Sequence, residues 1–175
     1  MIAAMPEQQL RLDQWANFYV SASAAAATLL GLLFVVIALA AERGRKDASA
    51  LETYLTPTVI YFTSVLLMST FLGIPIQTRL PAVIGICLGG IAGIGYSVSL
   101  VIRQGSGISF YDRSDLFPYV VFPLAGYALN VAGGLLLFRT SQIGLDLVAA
   151  GMLVLLGIGI RNSWAIAITI VSSRS

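Results

Sequence analysis

Asn130 is the side chain whose type and place most need a reason. It stands near the middle of an apolar stretch, with Gly126 and Gly134 four residues to either side. A carboxamide has two N–H donors and a carbonyl acceptor to satisfy, and hydrocarbon offers no partner for either. Asn130 must therefore face another helix or water. One reading makes it a hydrogen-bonding contact between helices, worth about 1 kcal/mol. The other has it line a pore or a polar ligand site at an oligomer axis, with Gly126 and Gly134 on the same face. Thr63, Ser64, Ser69 and Thr70 are candidate partners, although each can also bond its own helix backbone.

Arg161-Asn162 is the second such place. If the last apolar helix ends near Arg161, the guanidinium snorkels at the membrane surface and gains from the C-terminal dipole. If the helix runs on, Arg161 lies within the bilayer, where a charge is costly unless paired or hydrated. Glu42, Glu52, Asp112 and Asp115 fall on the same side as possible counter-charges. Asp146, in a first helical turn near Arg139, reads as a dipole-stabilised surface charge.

Catalysis has little to work with. There is no histidine, and Cys87 is the only cysteine. The usual general base and the usual metal sets are therefore missing, and no intrachain disulfide can form. No G-x-S-x-G occurs, no acidic pair lies within an apolar stretch, and Gly105-Ser106-Gly107 lacks the lysine of a phosphate-binding loop. The expectation is no enzyme, no metal and no cofactor. Phe110, Tyr111, Phe117 and Tyr119 read as an interfacial aromatic belt.

The strongest pattern is one of packing. Gly85, Gly89 and Gly93 recur every four residues, giving two overlapping G-x-x-x-G units on one helix face. Removing side chains along a stripe lets another element approach and gain dispersion contacts that bulk would block. Ser23, Ala27 and Gly31 offer a matching small stripe earlier in the chain. The stripes serve either packing within one bundle or an interface between molecules.

The elements that carry these residues follow from composition. Of 175 residues, 58% are hydrophobic and 10% charged, with a mean hydropathy of +0.90. An ordinary soluble domain carries about 25% charged residues, so the solvent for most of this chain is lipid. Five stretches have about the 20 apolar residues that a spanning helix needs. They predict an all-α membrane bundle with helices at about 15–41, 50–76, 81–102, 116–138 and 143–161, the last reaching 171 if it is one long tilted helix.

Local signals support these bounds. Trp15, Phe18 and Tyr19 place amphipathic rings at the first entrance. Ser49 and Glu52 fit a capping box for the second helix, Pro57 is expected to bend it, and Pro75 helps to end it. Pro81 suits the first position of the third. Asp112, Ser114 or Asp115 is expected to cap the fourth, and Pro123 to kink it. Short links at 77–80 and 139–142 predict two antiparallel hairpins. The longest loops are too short to bury a core, so residues 1–175 form one transmembrane domain with no soluble domain.

Orientation comes from the basic residues. Arg43, Arg45, Lys46, Arg103, Arg113, Arg161 and Arg174 fall on one side, and Arg11, Arg79 and Arg139 on the other. That excess predicts an N-terminus outside and a C-terminus in the cytoplasm. The N-terminal stretch lacks a basic region leading into a short apolar core, so the first helix reads as a retained span and not a signal peptide. With a net charge of +2 and scattered basic residues, no nucleic-acid partner is expected.

Trp15-x-Asn17-Phe18-Tyr19-Val20 at the start and Gly159-Ile160-Arg161-Asn162-x-Trp164 at the close resemble the ends of a group of small bacterial polytopic inner-membrane proteins of unknown function. The small-residue run into Gly31-Leu32-Leu33-Phe34-Val35 is also similar. The resemblance implies a bacterial inner-membrane protein and carries no activity or site residue with it. The expected function is helix packing in the bilayer, as an accessory subunit of a membrane complex or as a self-assembling scaffold. The alternative is a homo-oligomeric channel for ions or small solutes.

Overall fold

The computed structural model describes residues 12–42, 48–74, 78–105 and 121–172. Among them the elements are five helices: α1 (Leu12–Glu42), α2 (Ala48–Leu72), α3 (Arg79–Gly105), α4 (Phe122–Leu136) and α5 (Ser141–Ser172). The protein is an all-α bundle. Four of the helices are long and apolar enough to cross a membrane, over Trp15–Leu39, Leu55–Leu72, Arg79–Ile102 and Gln142–Ile168, while Phe122–Leu136 is a shorter apolar helix.

Several expected bounds move, each for a local reason. The second helix stops at Leu72 and not near 76. Gly73 and Ile74 form a turn in which the Gly73 N–H still reaches Ser69 O at 3.0 Å, and Ile74, preceding Pro75, is disfavoured in the helical region. That helix begins at Ala48, so Ser49 sits inside its first turn and not in front of it. It continues through Pro57. The third helix begins at Arg79, which makes Pro81 a first-turn residue whose missing N–H is no loss.

The described part of α4 places Pro123 in its first turn, where no kink is required, and the expected caps at 112–115 lie outside the described residues. α4 ends at Leu136 in a tight turn, with the Thr140 N–H on Leu136 O at 2.8 Å. α5 resolves the open question of the last segment: it is one uninterrupted helix of 32 residues that passes through Arg161 to Ser172.

Packing runs α1 on α2, α2 on α5, α5 on α4 and α4 on α3, with narrower contacts of α2 with α3 and of α1 with α5. The registers show alternating directions. Phe62 meets Gly159 while Ser69 meets Met152, Tyr127 meets Gly93 while Cys87 meets Gly134, and Gly126 meets Leu155 while Gly133 meets Val148. Phe71 at Gly85 and Met68 at Gly89 show the α2–α3 hairpin, and the α4–α5 register shows the second. Leu33, Leu55 and Ile166 pack together at one end, so the C-terminal parts of α1 and α5 lie beside the N-terminal part of α2.

Candidate functional site

The α3 glycine stripe is consumed inside the bundle, though not by a second small stripe. A Cβ at Gly85 would run into the Phe71 ring of α2, and one at Gly93 into the Tyr127 ring of α4; at Gly89 it would stand 3.1 Å from Met68 Cε. The stripe is a row of sockets for large side chains. The expected match with α1 is corrected by the packing order, because α1 lies against α2 and α5. Ser23 is half-buried and bonds its own helix at Val20 O (2.9 Å), while Ala27 and Gly31 are exposed. Nothing lies within 4 Å of a Cβ built at Gly31. α1 instead buries Tyr19, Ala22, Ala26 and Leu33.

The closest approach between helices is at α4 and α5, at glycines whose pairing sequence reasoning missed. A Cβ at Gly133 would stand 2.7 Å from Gly144 O, and one at Gly144 2.9 Å from Gly133 O. At Gly151 it would meet the Asn130 carboxamide and stand 2.6 Å from Gly126 O. The available signal was a spacing of seven, Gly126 to Gly133 and Gly144 to Gly151, which returns to one helix face after two turns.

Asn130 is fully buried with its amide against Gly151. Neither its Oδ1 nor its Nδ2 has a hydrogen-bond partner, and the same holds for the buried amide of Asn162. Two of the four hydroxyls proposed to serve Asn130 are used elsewhere: Ser64 Oγ shares a hydrogen bond of 2.9 Å with Tyr127 Oη, and Ser69 Oγ donates to Met152 Sδ at 3.6 Å. Gly126 faces α5 whereas Gly134 faces Cys87 and Ile86 of α3, so the three residues do not line one surface.

Asn162 and Arg161 also part company. Asn162 is buried and Arg161 exposed, since adjacent helical residues point about 100° apart. The levels of Asn130 and Asn162 differ by the interval from Gly151 to Asn162, about 16 Å at the helical rise. The structure thus separates the expected polar residues into two interior positions and one outward cation.

Two interior features were not foreseen. Tyr127 fills the Gly93 socket, bonds Ser64 and lies 6.4 Å from the Tyr61 ring, which ties α2, α3 and α4 together. Trp15, Phe18 and Tyr19 pack on one another with centroids 5.5 to 6.3 Å apart, and Tyr19 turns inward to the core. Among the described residues no three His, Cys, Asp or Glu side chains converge. No protein-family model, curated protein or solved structure matches this chain.

Proposed function

We propose that this chain is an integral protein of a bacterial inner membrane that works through helix packing, as an accessory subunit of a larger membrane assembly or a self-associating scaffold. One observation carries this reading. α1 has a 25-residue apolar span of which only 17% of the most apolar window is buried, against 56% for α5. Its outward face carries small residues, Ala24, Ala27 and Gly31. The internal stripe on α3 is already filled by Phe71, Met68 and Tyr127, so the small residues open to another helix are those turned outward, on α1 and, at Ala125, Ala128 and Ala132, on α4; α1 is the least buried of the long spans. Small residues along a lipid-facing helix permit the close backbone approach on which association in a bilayer depends.

The same reading places the N-terminus outside and the C-terminus in the cytoplasm. It rests on the excess of basic residues on one side and on five helices of alternating direction. The packing reading is preferred to a channel because Asn130, the residue a pore would need, faces Gly151 within the chain's own bundle. Gentle extraction into lipid nanodiscs and mass determination of everything that co-purifies tests it. A complex larger than one chain is expected; a strictly monomeric chain with no co-purifying partner contradicts it.

A further inference from the structure

Arg161 stands on the outside of the bundle, and its neighbours on that face complete a site. α5 turns Leu153, Gly157, Arg161, Trp164 and Ile168 outward, in steps of three or four that keep them in one row. Nothing lies within 4 Å of a Cβ built at Gly157, so the row has an open notch one turn before the guanidinium. Trp164 is 69% exposed, one turn after it.

The depth of the row is set by Asp146, an exposed carboxylate that accepts from Gln142 Nε2 at 3.3 Å near the start of the helix. From Asp146 to Arg161 the helix rises about 22 Å. The hydrocarbon core is about 30 Å thick. With Asp146 at one boundary, the Arg161 backbone stops several ångströms short of the other, a gap that an arginine stem spans by extending along the helix. Trp164, one turn further, then stands at headgroup level, where indole rings are favoured. A planar guanidinium at that level matches a phosphate through paired charge-assisted hydrogen bonds.

We propose that Arg161 binds the phosphate of an anionic phospholipid, with Trp164 beside the headgroup and an acyl chain lying in the notch at Gly157 and along Leu153. The proposal rests on the chain spanning a bilayer, not on assembly through α1. A monomer in a nanodisc is a sufficient sample.

The test uses the full chain carrying Trp15→Phe, which keeps a ring against Phe18 and Tyr19 and leaves Trp164 as the sole indole. Its fluorescence is read in nanodiscs containing a minor share of tail-brominated phosphatidylglycerol or tail-brominated phosphatidylcholine. The anionic lipid is expected to be enriched at Trp164 by about fivefold, the factor that one basic residue near an anionic surface carries. Arg161→Ala and Arg161→Gln, both on an outer face and checked by helical circular dichroism, abolish that preference, and Arg161→Lys retains part of it. Added inorganic phosphate leaves the quenching unchanged. Equal quenching by the two lipids, a preference that survives Arg161→Ala and Arg161→Gln, or one that inorganic phosphate removes would each overturn the proposal.

Discussion

The α4–α5 pair and α1 are apolar helices of one chain that spend their small residues in opposite ways. Between α4 and α5 the glycines face each other, and at Gly133, Gly144 and Gly151 a single added carbon would strike backbone carbonyl oxygen. On α1, Gly31 and Ala27 face outward with bundle packing left to Tyr19, Ala22, Ala26 and Leu33. In a bilayer the hydrophobic effect does not distinguish a buried apolar face from a lipid-facing one, so close packing is what holds helices together. The first region is therefore where the bundle is built, and the second leaves its small residues facing outward.

The comparison breaks most severely at Gly151. Gly151→Leu forces a branched side chain against the Asn130 amide and against Gly126 O, a backbone atom that cannot turn aside as a side chain can. Overpacking of this kind costs about 3 kcal/mol or more. It should lower the midpoint of unfolding in a detergent titration followed by helical circular dichroism, and an unchanged midpoint would mean the α4–α5 contact is not close.

Gly93→Ala is the next largest. Its methyl displaces the Tyr127 ring, at about 1 to 2 kcal/mol by the same measurement. Tyr127→Phe keeps the ring and removes only the bond to Ser64, so the loss should be about 0.6 kcal/mol and should vanish in a Ser64→Ala background. A full-sized effect in that background would show that the hydroxyl acts through another group.

Asn130 sharpens the comparison from the other direction. Its amide is buried without a partner, so Asn130→Leu removes a desolvated polar group and not a bond. Stability should stay within about 1 kcal/mol of the parent or rise. A loss of several kcal/mol would make Asn130 the interhelical glue that its sequence position first suggested. At the small end, Ala27→Leu with Gly31→Leu should leave the unfolding midpoint of the isolated chain within about 0.5 kcal/mol, because both sites are open.

Much of the scaffold was legible in the sequence. Hydropathy located five helices, and the links around Arg79 and Arg139 gave both hairpins, because short connections leave no other arrangement. The ends were less legible: α2 stops at Leu72 because a glycine and a pre-proline residue act together, and either alone is tolerated in a membrane helix.

The partners of the small residues were not legible. Glycine spacing shows that a notch exists but not what fills it, since that depends on the order of helices around the bundle. Gly85 and Gly93 accept Phe71 and Tyr127, and the apparent match with Ser23, Ala27 and Gly31 fails because α1 packs on α2 and α5. The same limit hid the separation of Arg161 from Asn162, which one step of helical rotation decides.

The most direct test of the account is a photocrosslinker anchored on the outward face of α1 in native membranes. In a Cys87→Ser background, the reagent is placed at Ala27→Cys and, as the control, at Leu88→Cys, an outward position on α3. The account predicts a higher-mass adduct, with a second copy or another membrane chain, from position 27 and none from position 88. Equal labelling from both positions, or none from either, would contradict the claim that α1 is the docking face.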